Sequence, residues 1–205
     1  MEGLNFIFSI IVLIMSVVAH ELSHGYAADA LGDPTARLAG RLTLNPLKHL
    51  DPIGSFLVPT ISYFLGGFIF GWAKPVPYNP YNLERRRLGE IVVAGAGAFT
   101  NFMLAVFFGL IIRFAPEGIL PEPFLELAGL VVLVNIILAI FNLIPIPPLD
   151  GSKILFALLP FRFHALQESL ERFALPLVII VAFFLWQFFL PLVALVFSAL
   201  TGGPL

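Results

Sequence analysis

The sequence predicts an all-α polytopic membrane protein of about five to six transmembrane segments, with a re-entrant or broken segment and a short β-hairpin. Three observations carry that expectation. The 205 residues are 59% hydrophobic and 12% charged, with a mean hydropathy of +0.98, whereas a soluble domain averages about 25% charged and 45–50% apolar residues. Several apolar runs reach the roughly 20 residues that a span requires. Little chain remains between those runs for a separate soluble unit. Residues 1–205 therefore read as one integral-membrane domain, with a core over 4–160 and a C-terminal span over 173–200.

In chain order, residues 4 to about 31 read as one helix, stopped by Gly32-Asp33-Pro34. The N-terminus lacks the positive region of a signal peptide, so this helix is expected to stay uncleaved. Residues 33–52 are polar, and Thr35 to Leu44 alternates loosely, which predicts the short strand or hairpin. Residues 53–72 are apolar but interrupted by Pro59, Gly66, Gly67 and Gly71, and residues 73–88 are proline-rich and basic. A second span covers 89–113, with a small-residue run from Ala94 to Ala98 that lets helix backbones approach closely. A third covers 123–143 and ends in a proline-broken turn, Asn142 to Gly151. A short apolar piece at 152–160, an amphipathic stretch at 161–172 and a last span over 173–200, containing Pro176 and Pro191, complete the chain.

Charge sets the orientation. Lys and Arg collect in 33–52, 73–88 and 153–172, while the 114–122 link and the C-terminal tail carry none. By the positive-inside rule these three basic stretches are cytoplasmic. Residues 53–72 must then enter and leave on one side, which their Pro and Gly content suits. Arg113, near the outer end of its span, is expected to snorkel to the interface. The same parity brings His20, His24 and Asp150 to the cytoplasmic ends of their helices. The net charge of −2 gives no argument for a nucleic-acid partner, and the absence of cysteine excludes a thiol nucleophile, disulfides and cysteine-bound zinc.

The chemistry concentrates at His20-Glu21-Leu22-Ser23-His24. Residues four apart share a helix face, so both imidazoles can reach one metal ion. Glu21 lies about 100° round the helix, close enough to act on a metal-bound water. Such ionisable groups within an apolar helix are costly and by default functional. A catalytic zinc needs a third protein ligand and an open position. A third histidine at position 30 is excluded, since Ala30 stands there; Glu84 and Glu90 flank the Arg85–Arg87 run, where salt-bridging suits them better; Asp150 follows the Pro-Pro break at matching depth. An N-cap of the following helix is the competing role for Asp150. Asn101 and Asn142 are amides in apolar helices, suited either to interhelical hydrogen bonds or to holding an oxyanion. His49 and Asp51 suit fixing the loop or a supporting role around the metal, and His164 an interfacial place. HExxH and the Pro-Pro-Asp-Gly break each occur once, so the internal repeat of a transporter is absent.

HELSH in a membrane helix, followed some 125 residues later by NLIPIPPLDG, resembles the site-2 protease family of intramembrane zinc metalloproteases. HLDPIG at 49–54 and GWAKPVPYNP at 71–80 resemble its small branch without a PDZ domain. The likeness covers about residues 10–155. It implies one Zn2+ per chain, with His20, His24 and Asp150 as ligands and Glu21 as catalytic base. It also implies substrates that are single-span membrane proteins, a multi-pass protein of the plasma membrane, and an active site near the cytoplasmic side. The family's Gly-Pro-x-x-Asn pattern reads Gly97-Ala98-Phe99-Thr100-Asn101 here, with the Asn kept and the Pro replaced. An unwound substrate segment is expected to add along the 35–44 edge or the 53–80 region.

Overall fold

The computed structural model describes residues 2–51, 53–57, 61, 64, 73–116, 118–181 and 186–205. Among these, the chain forms helices α1 (Glu2–Ala30), α2 (Thr35–Leu38), α3 (Arg86–Phe114), α4 (Glu122–Asn142), α5 (Asp150–Leu158), α6 (His164–Arg172), α7 (Ala174–Ile180) and α8 (Trp186–Thr201), with 3₁₀ turns at Pro46–Lys48, Pro80–Asn82 and Phe161–Phe163 and a π turn at Ile53–Leu57. Three described stretches are long and apolar enough to cross a membrane: Ile7–Ala30, Arg86–Phe114 and Glu122–Asn142.

The centre is α3, which packs on α1, α4, α5 and α8. Its buried positions include Val93, Ala94, Gly97, Ala98, Asn101, Ala105 and Gly109, a mostly small stripe at helical spacing. In lipid there is little hydrophobic drive between helices, so close backbone approach and dispersion contacts hold them together. Ala105, Val132, Ile136 and Val193 form the core where α3, α4 and α8 meet. Ile144, Leu149, Val178 and Val181 close a second cluster under the turn that follows α4. Large side chains such as Ile11, Phe107 and Leu110 stay exposed on the outside, as a lipid-facing surface requires. Arg113 donates from Nη1 to the Ala199 carbonyl in α8.

Two expectations need correction. Five to six spans were expected; three qualify among the described residues, and the expected last span at 173–200 lies partly outside them. The re-entrant segment at 53–72 lies largely outside the described residues. The β-hairpin at 35–44 is replaced by the helical turn α2 and an irregular stretch, with no strand among the described residues. The physical reason lies at Asp33. Its fully buried carboxylate accepts from the Thr35 backbone and hydroxyl through Oδ1, turning the chain after Pro34 into a helical turn.

Asp33 also fastens a distant loop. Oδ2 accepts from Asn79 N at 2.6 Å and Oδ1 from Asn82 Nδ2 at 2.9 Å. Burial works to raise its carboxyl, but these bonds and those from Thr35 hold it below the ordinary aspartate value. The 73–82 strap is thereby tied to the end of α1.

Candidate metal centre

α1 supplies His20 and His24 from one face, and α5 supplies Asp150 from its first residue. Asp150 Oδ2 lies 3.0 Å from His20 Nε2 and 3.0 Å from His24 Nε2. All three residues are buried, and their ligand atoms lie within 4.8 Å of one another. The helix start at Asp150 is capped by Leu149 without a side-chain bond, so the carboxylate does not serve as the N-cap. Its other oxygen, Oδ1, accepts from Lys153 Nζ at 2.8 Å.

The outward nitrogens decide what this cluster can hold. His24 Nδ1 lies 2.7 Å from the Val93 carbonyl oxygen, which can only accept, so Nδ1 carries the proton. His20 Nδ1 lies 2.6 Å from Asn101 Oδ1, while Asn101 Nδ2 donates to Asn135 Oδ1 at 2.7 Å and to Ser16 O at 3.3 Å. That pattern makes Asn101 Oδ1 an acceptor and His20 Nδ1 the donor. With Nδ1 committed on each ring, Nε2 is the nitrogen each histidine would offer to a metal ion, beside the Asp150 carboxylate. Three converging acceptors in a buried site call for a cation, and two imidazoles with one carboxylate form a set that suits catalytic zinc with a fourth position open. The Nδ1 partners fix ring tautomer and orientation.

The predicted residues divide accordingly. The structure brings His20, His24, Asp150 and Asn101 together. Asn101 meets the cluster through a histidine ring, with its amide fully engaged. Asn142 donates to Leu138 O within its own helix and, among the described residues, makes no bond to the cluster. Glu21 is half-buried, and its Oε2 accepts from Val76 N at 2.9 Å. His49 is buried and lies 2.9 Å through Nε2 from Thr43 O; Asp51 Oδ1 accepts from Ile53 N and Gly54 N. Both therefore organise their loop. Asn135 was missed: fully buried in mid-span, it donates to Ser16 Oγ at 2.9 Å and accepts from Asn101. An amide seven residues before Asn142 in an apolar span was the available signal.

Gly97 explains one close contact. A Cβ there would stand 2.4 Å from His20 Cε1 and 2.5 Å from Nε2, so only glycine lets α3 meet the ring. Gly97→Ala is expected to push His20 off Asp150 and to weaken zinc binding about 10- to 100-fold. The added methyl also overpacks a buried helix contact, which costs about 1–3 kcal/mol, so the melting temperature falls as well. Competition against a chelator, read beside a melting curve, checks both halves.

Beside the cluster, between α1 and α3, runs an open cleft of about 670 Å³. Ala19, Ser23, Tyr26 and Phe99 form its helical walls, and Thr43 and Leu44 line it from the stretch after α2.

Comparison with known proteins points to one family. A family model described as Peptidase family M50 matches residues 119–185, which include Asp150. "Putative zinc metalloprotease YwhC" of Bacillus subtilis is 38% identical over 170 residues, 80% of this chain and 74% of that protein. "Putative zinc metalloprotease MJ0611" of Methanocaldococcus jannaschii is 33% identical over 159 residues, 72% of each chain. "Putative zinc metalloprotease Rip2" of Mycolicibacterium smegmatis is 33% identical over 146 residues, 67% of this chain; the chain spans 52% of that relative. No solved structure matches the chain. With two histidines and an aspartate from separate helices converging as such an enzyme requires, and with this degree of likeness over most of its length, the chain belongs to peptidase family M50, the site-2 protease family.

Proposed function

We propose that the protein is an intramembrane zinc endopeptidase of the HExxH type that hydrolyses peptide bonds of transmembrane helices. The observation that carries the reading is the meeting of His20 Nε2, His24 Nε2 and Asp150 Oδ2 inside the helix bundle, one residue from the Glu21 carboxylate. His20, His24 and Asp150 hold the zinc. Zinc, when bound, acidifies a coordinated water towards pKa 7 and polarises the scissile carbonyl. Glu21 takes the proton of the attacking water and passes it to the leaving amine. Asn101 acts through His20 as a positioning residue, backed by Asn135 and Ser16.

A helical substrate conceals its amides in intrahelical hydrogen bonds, so it must unwind before attack. The cleft beside the cluster is where we seat the unwound stretch. Among the described residues, the backbone groups of Leu42 and Leu44 have no hydrogen-bond partner, which leaves an edge for strand addition. The apolar walls suit side chains drawn from a membrane span. Arg37, Lys48 and Arg85–Arg87 lie at helix ends on the side of the site, which supports an active site near the cytoplasmic face of the membrane; the plasma membrane is the location we assign to it.

Purified protein in proteoliposomes, given a model single-span peptide, tests the reading. Cleavage within the apolar stretch, loss with a zinc chelator and recovery on adding zinc are the expected results. Cleavage that survives complete zinc removal, or that is confined to soluble peptides, overturns it.

A further inference from the structure

The HExxH glutamate is held by a segment far from it in sequence. Val76 N donates to Glu21 Oε2 at 2.9 Å, and among the described residues Glu21 Oε1 has no hydrogen-bond partner. Val76 is 5% exposed and stands with Leu42 over Gly25, where an added Cβ would meet Leu42 Cδ2 at 2.5 Å and Val76 Cγ1 at 2.8 Å. The strap around Val76 is fastened on both sides. Asp33 holds it at Asn79. On the other side, the buried Arg41 donates from Nη2 to Lys74 O at 2.8 Å and Pro75 O at 3.3 Å. Lys74 N donates to His49 O at 2.8 Å, while the His49 ring bonds Thr43 O. The Arg41 side chain and the His49 main chain thus hold the strap, while the His49 ring fixes Thr43 in the cleft-lining stretch.

We infer that the 73–79 strap orients Glu21 through the Val76 N–H, and that Arg41 and His49 are positioning residues that keep the strap in register. A glutamate side chain has three torsions, and its rotamer freedom spreads the carboxylate over many positions. A charge-assisted bond from a fixed backbone N–H pins one oxygen. Oε2 is held and Oε1 is left to take a proton, which divides the carboxylate into an anchor and a base. Pro75 and Pro77 flank the donor and restrict it to extended backbone, so its direction is set in advance. Misplacement of a catalytic group by about 1 Å costs up to about 100-fold, which is the scale of effect that such an anchor controls. The inference rests on the reading of Glu21 as the base.

The test measures kcat and KM for cleavage of the model peptide, with zinc content, in five variants. Val76→Pro deletes the N–H and keeps an apolar side chain; Val76→Ala keeps the N–H and trims the packing. The proline variant is expected to lose about 10- to 100-fold in kcat with KM and zinc content retained, at least about 10-fold more than the alanine variant loses. Equal losses in the two variants overturn the hydrogen-bond role in favour of packing. Should the proline variant fail to fold, Arg41→Met carries the test. It is expected to lower kcat with KM kept, and Arg41→Lys, still able to donate to the same carbonyls, to recover part of the loss. A rise in KM with kcat intact overturns the inference, because Arg41 would then serve the cleft alone. Wild-type kcat in Val76→Pro beside an inactive Glu21→Gln overturns the strap's role only. Activity in Glu21→Gln overturns the general-base reading, and the inference with it.

Discussion

Glu21→Gln abolishes cleavage of a transmembrane peptide and leaves zinc bound: that is the expected result for the single most damaging conservative change. The amide matches the carboxylate in shape, and its oxygen can still accept from Val76 N, so the strap stays in place. What it loses is the capacity to take up a proton at neutral pH. General-base catalysis contributes about 10²- to 10⁴-fold, and the leaving amine also needs the same proton back, so the loss falls at or beyond the upper figure. His20, His24 and Asp150 are untouched, so zinc content stays at the wild-type level. The measurement pairs peptide cleavage in proteoliposomes with metal analysis of the same sample. A variant that cleaves at a rate near wild type sinks the proposed mechanism, whatever its zinc content.

Asp150→Ala removes the carboxylate on which both histidines converge. Its oxygen Oδ2 is the atom 3.0 Å from each Nε2, and Lys153 holds the other oxygen. Two imidazoles on one helix remain, and an incomplete donor set binds zinc weakly. Loss of an outer partner of a metal ligand costs about 10- to 100-fold in affinity; loss of a ligand is expected to cost at least about 100-fold. Removal also leaves the part-exposed Lys153 ammonium without its partner, a small effect on stability because solvent screens it. Lys153→Met in the same background separates the two effects, since it restores charge balance without restoring a metal donor. Zinc affinity unchanged in Asp150→Ala would mean that a different group completes the site. Since Asp150 makes no N-cap bond, a pure helix-start role is already set aside.

Much of the site is local and was therefore legible. A spacing of four on a helix places His20 and His24 on one face through covalent geometry alone. Apolar runs long enough to span, broken by Gly32-Asp33-Pro34 and by the prolines before Asp150, mark where the helices end. Counting basic stretches brought Asp150 to the level of the histidines without reference to any contact, and the structure puts their atoms together. The loose alternation at 35–44 misled because a period of two describes side-chain direction only once the backbone is extended. The buried Asp33 carboxylate bends it into a turn instead.

The amides show where local reasoning stops. Asn101, Asn135 and Asn142 are the same residue type in similar apolar helices. Asn101 faces His20 and Asn135 faces Asn101, whereas Asn142 turns back to its own helix. Which way each one points depends on how α1, α3 and α4 are rotated against one another, and hence on close approach at Gly97. Helix faces, helix ends and the two histidines with their glutamate follow from periodicity within about one turn of chain. The partner of each histidine's second nitrogen, and the bond from Val76 to Glu21, join residues 55 to 81 apart. Those pairings exist only after packing has set the distances, because a hydrogen bond acts over about 3 Å and nothing in a linear pattern fixes that separation.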